Sequence, residues 1–139
     1  MKYNTLLLIL WFVIGGCDPH DGRLTIVNES KEVIFISLSP DGMIKEFPIK
    51  FADGDTLWNY TEYILPGEDE HPLSFGNNSW EKTINEKYRD STLTLFIFDR
   101  ALLKITPPDS LVAKQLYSRK FAYKVKDLEK LNWRIEYKE

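Results

Sequence analysis

Sulfur chemistry is almost absent from this chain of 139 residues: Cys17 is its only cysteine, and its only histidines are His20 and His71. A single sulfur excludes an internal disulfide and any zinc site built on paired thiolates. Zinc otherwise needs three or four ligands from His, Cys or carboxylate, and two distant histidines do not supply them. No Gly-x-Ser-x-Gly elbow, phosphate-cradling glycine loop or His-Glu pair at helical spacing occurs. Acidic residues outnumber basic ones 21 to 18, a formal net charge of −3. Nucleic-acid binding calls for a basic stripe, so nucleic acid is not an expected partner. A run of roughly 20 apolar residues, which a spanning helix needs, is also missing. No metal or cofactor is expected, and no motif points to catalysis.

The features that are present begin near the amino terminus. Lys2 precedes the nine apolar residues Leu6 to Ile14, followed by Gly15, Gly16 and Cys17. A charged start, a short apolar core and small residues before a processing point are the parts of an export signal. The order Ile14-Gly15-Gly16-Cys17 resembles the lipobox of bacterial lipoproteins. That resemblance implies that Cys17 is lipidated on sulfur, cut at its amino side and then acylated. Three acyl chains, at about 0.8 kcal/mol per buried methylene, far exceed the marginal hold of one myristoyl group. An ordinary secretory signal with a coincidental cysteine, or an uncleaved anchor, are the competing readings.

Residues 1–16 are therefore expected to be a cleaved signal peptide, 17–22 a lipidated tether, and 23–139 a single β-rich domain. Removing 16 of 139 residues leaves 123, enough for one domain with a substantial core. Loss of Lys2 leaves 17 basic against 21 acidic groups, about −4. With Cys17 spent on lipid, the exported domain has no thiol and must be held by its core alone.

Period-two patterns dominate the mature chain. Leu24 to Val27 and Val33 to Leu38 read as strands joined through a hairpin loop at Asn28 to Lys31. Ser39-Pro40-Asp41-Gly42 reads as a turn, with Pro setting φ and Gly accepting a positive φ. Phe47, Ile49 and Phe51 alternate around Pro48, which confines that segment to a sheet edge. Thr61 to Leu65 and Pro72 to Phe75 flank an acidic loop. Ser79 offers an N-cap to a helix from Trp80 to Tyr88, whose apolar residues recur at i, i+4 and i+8. Leu93 to Phe98 is apolar on both faces except at Thr94, as in a central buried strand. Asp109 is the expected cap of a short helix reaching Gln115, and Leu128 with Leu131 marks one more helical turn. Phe121 to Val125 and Trp133 to Lys138 alternate as strands. The fold class expected is mainly β: a small antiparallel β-sandwich, Ig-like, with two or three short helices.

A second resemblance rests on the order of these segments. Ile26-Val27-Asn28-x-Ser30, Ile34 to Ser37, Pro40-Asp41, the helix led by Trp80, Leu95-Phe96-Ile97-Phe98-Asp99 and the terminal Leu128-x-x-Leu131-Asn132-Trp133-x-Ile135-x-Tyr137 resemble small envelope lipoproteins of Bacteroidetes. The resemblance implies an envelope address and supplies no catalytic residues. It also implies that Asp55-Thr56-Leu57, Asp90-Ser91-Thr92 and Asp109-Ser110-Leu111 are O-glycosylation sequences.

Two polar clusters and one aromatic cluster remain. Glu68, Asp69, Glu70 and His71 are adjacent in sequence, an arrangement that a solvated loop explains better than a metal site. Asp53-Gly54-Asp55 hints at calcium, but Leu57 and Trp58 stand where oxygen ligands would follow. Trp58, Tyr60 and Tyr63 crowd one segment beside Asn59 and Thr61. Aromatics beside amides make a candidate carbohydrate or peptide platform; inward packing of Trp58 is the competing reading. Trp133 and Tyr137 are expected in the core and at the sheet edge.

The functional expectation is a lipid-anchored protein of the cell envelope, in the outer membrane of a Gram-negative bacterium. Its role is expected to be interaction or structure without catalysis, with an envelope protein or a glycan as partner. The alternatives are a glycan- or peptide-binding module using Trp58 to Tyr63, or a hydrolase or inhibitor with its site in the loops.

Overall fold

A computed structural model describes residues 20–45, 63–75 and 79–138. The expected edge strand at Phe47 to Phe51 and the Asp53-Gly54-Asp55 turn lie outside the described residues. Nine strands and four α-helices occur among the described ones. They are β1 (His20–Asp21), β2 (Thr25–Asn28), β3 (Ile34–Ser39), β4 (Tyr63–Ile64), β5 (Asp69–Glu70) and β6 (Ser74–Phe75). Then follow α1 (Trp80–Lys87), a 3-10 turn (Arg89–Ser91), β7 (Leu93–Asp99), α2 (Arg100–Ile105) and α3 (Pro108–Lys114). The chain closes with β8 (Arg119–Tyr123), α4 (Val125–Lys130) and β9 (Arg134–Tyr137).

The strands form a four-stranded sheet in the order β4-β3-β7-β8, a three-stranded sheet β5-β2-β9, and the two-stranded ladder β1-β6. About 34 % of the described residues are strand and 31 % helix. The mainly β expectation therefore holds only in part, because helix is almost as abundant as strand. One ladder also departs from the antiparallel rule: β2 and β9 run parallel, with Thr25 beside Arg134 and Asn28 beside Tyr137.

Strand β7 carries the architecture. Its alternation puts Leu93, Leu95 and Ile97 on one face and Thr94, Phe96 and Phe98 on the other, and every one of these residues is buried. The first face meets Ile34 and Ile36 of β3 and, across the interior, Ile26 of β2 and Ile135 and Tyr137 of β9. Trp80 and Ile84 of α1 and Leu128 of α4 complete that core. The second face carries a separate cluster, in which Phe35, Phe96 and Phe98 pack with Leu103 of α2 and Leu111 of α3. Burying each such side chain is worth about 1.5–3 kcal/mol, so two clusters on one sheet can hold a domain without covalent staples.

Several expectations change in the folded chain. Strands β2 and β3 do not form a hairpin: β2 pairs with β5 and β9, and β3 pairs with β4 and β7. Asn28 explains the switch between sheets. It is fully buried, its Nδ2 donates to the carbonyls of Glu32 (2.7 Å) and Ile64 (2.9 Å), and its Oδ1 accepts from Ser30 Oγ (2.7 Å). That closes the connection into a knot and turns the chain away from its own preceding strand. Asp69 and Glu70, read as loop, pair with Val27 and Ile26 as an edge strand. Helix α2 was not foreseen; Asp99 caps it by accepting from the Leu102 amide at 2.7 Å. Asp109 is not a cap either, because Pro108 takes the first helical position and leaves Pro107 as the N-cap. Ser79 does cap α1, accepting from the Lys82 amide, and Gly42 does take a positive φ of 74°. Trp133 and Tyr137 are buried, as their alternation implied.

Candidate functional site

Of the residues singled out from the sequence, Cys17, Trp58 and Tyr60 lie outside the described residues. Tyr63 is described: it sits on β4, the edge strand of the larger sheet, and is 40 % exposed. Glu68 and His71 are exposed. His71 Nδ1 is 3.2 Å from Thr25 Oγ1, and its Nε2 is 3.5 Å from Asp69. Among the described residues, no group of three His, Cys, Asp or Glu side chains is placed to hold a metal ion. Of the three glycosylation-like sequences, Ser110 lies inside α3 and Ser91 in the 3-10 turn, while Thr56 is outside the described residues.

One recess lies on the outer face of the four-stranded sheet. Helices α2 and α3 cover Phe96 and Phe98 but stop short of Thr94. Beyond the two helices lies a cleft of about 350 Å³ whose floor is made by Thr94, Ala122 and Gly42. Small residues there leave room that larger ones would fill. One wall is the turn at Asp41 to Met43, and the other is formed by Arg89, Asp90 and Thr92. The Arg89 amide donates to the Pro40 carbonyl at 2.6 Å and ties the two walls together.

The far wall is held in an uncommon backbone conformation. Asp90 and Ser91 are consecutive non-glycine residues with φ of 55° and 51°. Left-handed backbone of this kind costs an L-residue roughly 1–2 kcal/mol. On the near wall, the Asp41 carboxylate pairs with Lys45 and accepts from Ser39 Oγ at 3.0 Å. The Lys45 ammonium, first among its partners, holds the carboxyl below its ordinary value. Lys120 reaches over the Phe96 ring at 5.3 Å and donates to the Gly42 carbonyl at 3.2 Å. Thr94 is 4 % exposed, and its hydroxyl faces Gly42. Arg89, Lys120 and hydroxyls equip the cleft to recognise a polar ligand. Two carboxylates, Asp41 and Asp90, line it as well.

A second arrangement organises the end of the molecule where β2 and β9 both start. Asp21 accepts from Arg23 Nη2 at 2.7 Å and from the Trp80 amide at 2.9 Å. The same guanidinium donates to Glu81 at 2.6 Å and lies 4.7 Å above the Trp133 ring. These bonds, the one from Arg23 first, lower the Asp21 carboxyl to about 2, and Glu81 is lowered for the same reason. Asp21, expected in the tether, is instead joined to the fold through Trp80, 59 residues away, which no local pattern reveals.

No protein-family profile, curated protein or solved structure matches this chain.

Proposed function

We propose that this chain is a cell-envelope lipoprotein, anchored through Cys17 in the outer membrane of a Gram-negative bacterium. Its folded part serves a non-enzymatic interaction or structural role toward an envelope protein or glycan. The observation that carries this reading is the short distance, in chain terms, between Cys17 and folded structure. Strand β1 begins at His20, inside the segment read as tether, and its neighbour Asp21 is bonded into α1. A lipidated Cys17 would thus hold a compact body directly at a membrane surface. The cleft beside Thr94 supports the binding part of the reading, since its groups suit recognition by charge and hydrogen bonds. In the finer reading of the fold, the two sheets form a small Ig-like sandwich around the shared core, with α2 and α3 as an added layer.

The anchoring test is direct. Cys17→Ser is expected to move the protein from the membrane fraction to the soluble fraction, and unchanged membrane retention would sink the reading. The alternative, a glycan- or peptide-binding module using Trp58, Tyr60 and Tyr63, is favoured by the half-exposed Tyr63 on the sheet edge. Tyr63→Ala should then lose retention on immobilised cell-wall glycan, and equal retention of both proteins would remove it.

A further inference from the structure

We infer that the end of the body where β2 and β9 begin rests on the headgroup layer of the bilayer, through a strip formed by Leu73, Arg23 and Leu131. This inference depends on the anchoring of Cys17 proposed above and adds the surface that meets the lipid.

Chain length sets the first constraint. From Cys17 to His20 there are three peptide units, which span at most roughly 11 Å. A body of 123 residues has an expected radius of gyration of about 14 Å. The tether is shorter than that radius, so the body cannot turn its far end to the membrane. The end nearest His20 stays against the surface.

Strand direction identifies that end. Because β2 and β9 are parallel and Thr25 sits beside Arg134, the residues before both strands emerge together. Arg23 stacks on Trp133, and the Thr25 amide donates to the Trp133 carbonyl at 2.8 Å. Leu131 stands in the turn before β9, where the Arg134 amide donates to its carbonyl at 3.1 Å. On the other flank, Leu73 lies so close to Gly22 that a Cβ there would meet its side chain at 3.2 Å. Both leucines are exposed, Leu73 by 40 % and Leu131 by 41 %.

The tethered end carries side chains that suit a bilayer boundary. At the tethered end, two leucines flank an arginine, and Lys130 closes α4 beside them. The carboxylates of Asp21 and Glu81 are both engaged by Arg23. Apolar side chains beside cations suit the boundary between acyl chains and phosphate headgroups. The opposite end, around the finish of β2, carries Glu68 and the Glu29–Lys138 ion pair (3.0 Å), and there the Asn28 amide donates to the Glu68 carbonyl.

The test uses the absence of any second thiol. In the lipidated protein, Leu73→Cys, Leu131→Cys and, at the far end, Glu68→Cys each offer one thiol for an environment-sensitive fluorophore. The proteins are placed on phosphatidylethanolamine–phosphatidylglycerol vesicles, with and without headgroup nitroxide lipid. Emission from positions 73 and 131 is expected to shift to the blue and to be quenched by nitroxide, with no change at position 68. Equal emission at all three positions on protein that floats with the vesicles overturns the proposed face and leaves the anchor standing. Protein that fails to float overturns the anchor itself. Amine acylation of the unsubstituted lipidated protein gives an independent measure: Lys130 should be protected by vesicles and Lys31 not. Equal modification of the two would overturn the face without any folding artefact.

Discussion

The guanidinium of Arg23 lies 4.7 Å above the ring of Trp133 while its two donors grip Asp21 and Glu81. One side chain thereby joins the segment before β2, the first turn of α1 and the turn before β9. Local sequence cannot announce such a junction, yet several measurable properties follow from it and from its neighbours.

Asp21 should make the fold sensitive to acid. Its carboxyl is held at about 2 in the folded chain against an ordinary 3.8. A lowered folded value means that its contribution is complete above 3.8 and is lost as pH falls from there towards 2. Solvent reaches Arg23, so the contribution is about 1 kcal/mol rather than the full linkage value. Asp21→Asn is expected to destabilise by about 1–2 kcal/mol at neutral pH, read by urea unfolding. The gap between variant and parent should close below about pH 3. A gap that persists to pH 2 would show that the charge is not its source.

Asn28 should be among the most costly polar residues to remove. Asn28→Ala would strip two donors from the Glu32 and Ile64 carbonyls and one acceptor from Ser30, all at a buried crossing between sheets. A loss of about 2–4 kcal/mol is expected in chemical denaturation. A loss under about 0.5 kcal/mol, the level of an ordinary surface change, would contradict the role given to it here.

Ser91→Gly should stabilise. Ser91 holds φ at 51° beside Asp90 at 55°, and glycine adopts that region without the Cβ penalty. The greater freedom of glycine in the unfolded chain offsets part of the gain, leaving about 0.5 kcal/mol. Differential scanning calorimetry should show a small rise in Tm; a fall would mean that the Ser91 Oγ contact to the Asn85 carbonyl at 3.4 Å outweighs the strain.

Phe98→Ala probes the outer core. Phe98 is fully buried against α2 and α3 with Phe35 and Phe96. A loss of about 3–5 kcal/mol is expected, read from the urea midpoint. Docking of both helices depends on this cluster, so the helical signal in circular dichroism should fall with it.

Much of the local structure was legible. The run Leu93 to Phe98, apolar except at Thr94, announced a strand buried on both faces. Ser79 with Trp80 and Ile84 announced α1. Asp69 and Glu70 were not legible as a strand, because an edge position lets charged side chains stay in water while only their backbone pairs. Helix α2 escaped because six residues give too little periodicity to register, although Asp99 ahead of Leu102 and Leu103 was a usable sign. In the cleft, Thr94 could be flagged, but its walls come from residues 41–43 and 89–92, far apart in sequence.

The residue order by itself determined the short apolar run before Cys17, the lack of any other thiol, and the segments that prefer strand or helix. These depend on composition and on contacts within a few positions along the chain. Only the tertiary structure decided that β2 lies parallel to β9 rather than hairpinned to β3, and that His20 and Asp21 belong to the folded body. Ladder partners and long-range ion pairs are chosen by the packing of the whole chain, where the satisfaction of Asn28 and the stacking of Arg23 on Trp133 outweigh proximity in sequence.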